Sequence, residues 1–150
     1  MQAQNRTEYS NLMLKAVNSE EFTKQFLAKA TEDLKATKRS VFEAYIGIAY
    51  LFMAKHSGNP FSKLSYFKNG KRHLEAAVAK SPKCLEIRFL RYTTQMEMPH
   101  FLGYNKSILE DKKFILEHYC HKSFFITDFQ ESISGFQFWT FINVHFSKPN

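Results

Sequence analysis

Apolar residues recur along most of the chain at three- and four-residue intervals, the period of an α-helix with one buried face. Tyr9, Leu12, Met13, Ala16 and Val17 begin the series and predict a first amphipathic helix over about 4–17. Asn18, with Glu21 three residues on, reads as the cap of a second helix whose stripe is Phe22, Phe26, Leu27, Ala30 and Leu34. Glu20 and Glu21 at its start and Lys35 at its end suit the helix dipole. The short connection predicts an antiparallel hairpin. Ser40 is placed to cap a third helix. From Val41 to His56 that helix is apolar on nearly every side (Val41, Phe42, Ala44, Tyr45, Ile46, Ile48, Ala49, Leu51, Phe52, Met53), which predicts the central, buried element.

Ser57-Gly58-Asn59-Pro60 is a stop followed by a restart. Gly58 suits the positive φ of a helix C-terminus, Asn59 a cap and Pro60 the first helical position. Phe61, Leu64, Phe67, His73 or Leu74, Ala77 and Val78 then give a long stripe. Gly70 inside it costs about 1 kcal/mol against alanine, for which close packing is the expected compensation, although Asn69-Gly70 is also a place to break the helix in two. Ser81-Pro82 starts the next helix, carrying Leu85, Phe89, Tyr92 and Met96, and Pro99 ends it. Phe101, Leu102 and Tyr104 form a short aromatic link. Ile108, Leu109, Phe114, Ile115 and Tyr119 mark a further helix. Over 127–146 two patterns overlap. Thr127 with Gln130, then Phe129, Ile133 and Phe136, read as a capped helix, while Phe136, Phe138, Thr140, Ile142, Val144 and Phe146 alternate as a strand does. The helical context favours the helix.

Gly70, Leu74, Ala77 and Pro82 together resemble the second half of a tetratricopeptide (TPR) repeat, in which small residues admit a neighbouring helix and proline opens the next. Ile46, Gly47 and Tyr50 resemble the large–small–aromatic face of its first helix. About 11 extra residues separate the two helices, and one unit is recognisable over about 41–91, where an array needs about three. The resemblance implies TPR-like stacked antiparallel hairpins and the binding of an extended peptide along a concave face. Lys63 and Tyr66, with Asn59, Lys68, Asn69 and His100, would then rim the groove. The whole chain also reads like a small bacterial helical protein.

A chain of 150 residues, 44% hydrophobic and poor in glycine and proline, suits one ordered domain over 1–150. Sixteen phenylalanines are hard to hide in one small core, so an exposed aromatic surface is expected. The formal charge of +7 favours anionic partners, but Lys35, Lys38, Arg39 and Lys68, Lys71, Arg72 are only short groups. Solvated helix faces account for them. Binding of nucleic acid or anionic lipid is the alternative. No run of about 18 apolar residues predicts a transmembrane helix. The first ten residues lack the features of an intact signal peptide. Compartment stays open between cytoplasm and, if Met1 replaces a removed signal peptide, export to the periplasm.

Chemistry-bearing residues are sparse. Cys84 and Cys120 are the only cysteines, and a hairpin about Pro99 would bring them near one another. Buried thiols, a disulfide, or a metal or redox site with His118 and His121 are the readings, and no zinc-type spacing supports the last. Glu86, Arg88 and Arg91 share a helix. They serve either as an arginine site for a carboxylate or phosphate, or as ion pairs to Glu75 or Asp111. No nucleophile elbow, carboxylate pair or phosphate loop is present, and no cofactor is implied. The expectation is therefore an all-α domain of six or seven helices that acts without catalysis in protein–protein interaction, with a homodimer as one arrangement. Its candidate contact residues are Lys63, Tyr66, Arg88, Arg91, Phe101, Tyr104, Trp139 and Phe141.

Overall fold

The computed structural model describes residues 2–119, with side chains from Glu8 to His118. Their regular structure is all helical, with no strand among the described residues: α1 Gln2–Ala16, α2 Glu20–Thr37, α3 Ser40–His56, α4 Pro60–Lys80, α5 Leu85–Glu97, a 3₁₀ turn His100–Leu102 and α6 Ile108–Tyr119. The segment 127–146, with its helix-or-strand question, lies outside the described residues.

Local chemistry sets most boundaries. Asn59 caps α4 by accepting from the backbone N–H of Phe61 (2.9 Å) and of Ser62 (3.4 Å), with Pro60 as the first helical residue. α4 then runs unbroken through Asn69-Gly70. Four expectations are corrected. The cap of α2 is Ser19, whose Oγ accepts from Phe22 N at 3.4 Å, and Asn18 falls in the preceding turn. Ser40 is the first residue of α3, and its hydroxyl is turned to Ser81 Oγ at 3.0 Å. α5 starts after Cys84, because Pro82 sits in the turn between helices. The positive φ expected at Gly58 occurs at Lys38 (58°), whose N–H closes α2 on Leu34 O, and at Gly103 (65°).

The apolar helix α3 is the centre, as its composition requires. Every residue from Val41 to Ala49 is buried, with α2 on one side and α4 on the other. Tyr9 of α1 stacks on Tyr45 (centroids 4.5 Å apart) and meets Phe26 edge-on, joining three helices in one aromatic cluster. α3 and α4 approach each other closely. A Cβ on Gly47 would lie 2.8 Å from Gly70 O, and a Cβ on Gly70 would lie 2.7 Å from Leu51 Cγ. The two glycines face each other, and fully buried Leu74 and Ala77 extend the seam. The helix-interior cost of Gly70 is thus exchanged for backbone-to-backbone packing.

Candidate binding groove

α5 and α6 pair through buried charge. Asp111, fully buried, receives Arg91 in a two-pronged contact (Nε–Oδ2 2.7 Å, Nη2–Oδ1 2.8 Å). Arg88 Nε lies 2.6 Å from Asp111 Oδ1, close as an ion pair but out of line for a hydrogen bond, and its Nη2 donates to Glu110 at 2.8 Å. Arg91 also reaches Glu75 of α4 at 3.0 Å, and Tyr104 donates to the other oxygen of Glu75 at 2.7 Å. Burial works against the charge of Arg91, but the hydrogen bonds and charges of Asp111 and Glu75 outweigh it and hold its pKa above the usual arginine value. Burial and the hydrogen bond to Glu75 likewise push the Tyr104 hydroxyl above its ordinary range. Of the two readings of Glu86, Arg88 and Arg91, the geometry is that of ion pairs. Both guanidiniums are committed inside the protein, and Glu86 binds the Tyr45 hydroxyl of α3. What this network does is clamp α6 and the Gly103-Tyr104 link onto α4 and α5.

The opposite side of α5 faces an open apolar groove of about 640 Å³. α3 lines it with Ile48, Leu51 and Ala54, all buried. α1 contributes Met13 and Leu14, the turn after it Val17, and α4 Leu64 and Phe67. α5 adds Phe89 and Leu90, its C-cap Met98 follows, and the 3₁₀ turn adds Phe101 and Leu102. The volume falls within the range of ligand-binding clefts, which commonly form between packed helices. Around the mouth stand large apolar groups in water: Phe101 is 86% exposed and Leu64 is 44% exposed, with Phe61 (85%) one residue from Pro60 on the lining. Polar groups are few and lie at the edge, chiefly Lys55, Lys63 and Glu97. Lys55 donates to Val17 O at 2.9 Å and His56 contacts Ala16 O at 2.9 Å, so the end of α3 holds the free carbonyls of the end of α1 and fixes that wall.

The expected contact residues divide. Lys63 and Phe101 belong to this groove. Tyr66 sits beside it on α4, its ring stacked near Tyr50 at 6.4 Å. Asn59 is occupied as a cap. Arg88, Arg91 and Tyr104 form the buried clamp across α5. Trp139, Phe141 and Cys120 lie outside the described residues, and with Cys120 so does any disulfide. Cys84 is half-buried just ahead of α5. Among the described residues no three potential ligands gather as a metal site, and no helix is long and apolar enough to cross a membrane. The groove's main residues, Met13, Val17, Phe89 and Met98, were read from the pattern only as stripe members or passed over. A stripe broader than one neighbouring helix needs was the signal they offered. No family model, curated protein or solved structure matches the chain.

Proposed function

We propose that the chain is a non-catalytic interaction module that receives the apolar face of a partner's amphipathic helix in the groove between α1, α3, α4 and α5. The observation that carries this reading is a concave, almost wholly apolar surface whose rim holds Leu64 and Phe101 out in water. Burying large rim side chains of this kind is the usual source of interface energy. Met13 and Met98 in the walls adapt to different apolar shapes, as methionine-lined grooves do. Lys55, Lys63 and Glu97 at the edge set register by charge and contribute little affinity. TPR-like recognition of a peptide is the same activity in another geometry, and it differs in reading polar side chains where this groove reads apolar ones.

The test is selection of displayed helical peptides on the full chain, followed by mapping of the contact by NMR. Shifts centred on Leu51, Leu64 and Phe101, with at least tenfold weaker binding by a Leu64→Glu, Phe101→Glu variant, are the expected result. Peptides that map elsewhere, or that bind the variant equally, refute it. Both substituted positions are exposed, so the variant keeps its fold.

A further inference from the structure

We infer that the partner's helix lies in the groove in one direction, with its N-terminus and an acidic residue of its first turn at Lys63 and a single two-turn set of apolar anchors beyond. This rests on the reading of the groove as a helix-binding site. The length of the occupant comes from the walls. On α4 the lining positions are Pro60, Lys63, Leu64 and Phe67, an i, i+3, i+4, i+7 set that faces one way over two turns. The lining of α3 falls within 48–55 and that of α1 with its following turn within 10–17, the same span on each, and the α5 wall, 89–98, is little longer. Seven residues of helix cover about 10 Å. A groove of this length takes one i, i+3, i+4, i+7 set of anchors from an occupying helix.

The direction comes from charge. Lys55 at the end of α3 donates to Val17 O just past α1, and its charge acts on Glu97 at the end of α5, so these three helices end together. Ser40 and Ser81 meet at 3.0 Å, so α4 ends where α3 begins and starts at the shared end. All the charged lining residues, Lys55, Lys63 and Glu97, lie at that end, while Ser10, Ile48, Phe67 and Leu90 form the uncharged other end. Lys55 is engaged with Val17 and Glu97. Lys63 is exposed and has no ion pair among the described residues, so a carboxylate of the occupant meets an unpaired ammonium there. α1, α3 and α5 turn the negative ends of their dipoles to this end and α4 its positive end, a balance that favours an N-terminus of the occupant. Acidic residues are themselves favoured in a helix's first turn, so both preferences fall in one place. A reversed helix would lay its acidic first turn among Ile48, Phe67 and Leu90, where the lining has no cation.

The test uses the full chain and a selected helical peptide remade in three forms: Glu in the turn before its first anchor, Glu in the turn after its last, or Gln at both. The first form should bind about fivefold more tightly than the others at about 50 mM salt, and the advantage should fade at about 0.5 M. Lys63→Glu should remove that advantage and leave the Gln form unchanged. Lys63 is exposed in the first turn of α4, where Glu suits the dipole, so the variant keeps its fold. A nitroxide on the peptide's N-terminus should broaden the NMR amide signals of Val17 and Lys55 and spare those of Ile48 and Phe67. Broadening at Ile48 and Phe67 instead, a preference for Glu after the last anchor, or equal binding of the three forms overturns the inference and leaves the groove reading standing. Alanine in place of apolar peptide residues outside one i, i+3, i+4, i+7 set should change affinity by less than about twofold, and a larger loss overturns the two-turn limit. If no form of any helical peptide binds the groove, both readings fail.

Discussion

Gly47→Ala tests the contact on which the helix arrangement depends. Two effects oppose each other. Alanine in a helix interior is worth about 1 kcal/mol over glycine. Against that, the new Cβ would lie 2.8 Å from Gly70 O, 3.0 Å from Leu74 N and 3.2 Å from Leu74 Cβ. Two of the three atoms are backbone of α4, so no rotamer change relieves the contact and the helices must separate. Overpacking a core costs about 1–3 kcal/mol, and a backbone obstacle puts this site at or above the upper end. The net expectation is destabilisation by about 2 kcal/mol. With a urea slope of about 2 kcal/mol per molar, the midpoint falls by roughly 1 M. The assay is urea unfolding followed by helical circular dichroism. Gly58→Ala is the control, because a Cβ there meets nothing within 4 Å, and it should hold or slightly raise the midpoint. If Gly47→Ala is as stable as the unmodified chain, helix propensity has won and the α3–α4 seam is looser than described.

Three further outcomes are expected. Asp111→Asn leaves Arg88 and Arg91 facing each other without their shared buried carboxylate and should cost about 3–5 kcal/mol in the same assay, and a loss under about 1 kcal/mol would mean that Glu75 and Glu110 suffice. Burial, reinforced by the Arg72 charge, holds His73 below the usual histidine pKa despite Glu43 nearby, so its neutral form is favoured on folding; stability should fall as pH drops below about 6.5, and His73→Gln should flatten that part of the midpoint-against-pH curve, an unchanged curve refuting the assignment. Asn59→Ala removes the α4 cap and should cost about 1 kcal/mol in urea unfolding, while an unchanged midpoint would mean that Pro60 alone fixes the start of the helix.

Helix content, order and approximate limits follow from the sequence, because apolar periodicity, an Asn-Pro start and proline stops act within a few residues. Its reading of Val41 to His56 as the central helix holds for the same reason, since a helix apolar almost all round has no side to give to water. The spacing of Gly47, Gly70, Leu74 and Ala77 marked a close helix contact correctly. Caps were read one residue off: Ser19 supplies the oxygen expected of Asn18, and Arg39 precedes α3 without a side-chain cap while the Ser40 hydroxyl pairs with Ser81. Only the tertiary structure decided how surfaces combine. Arg88 and Arg91 look like an anion site in one dimension, and they become internal once α6 brings Asp111 against them. Met13, Leu51, Leu64, Phe89 and Phe101 are far apart in sequence, and each is an ordinary apolar residue of its own segment. They become one groove because α1, α3, α4 and α5 meet around a gap. A periodic stripe shows that a face is apolar, while the crossing of helices determines whether that face is filled by a neighbour or left open.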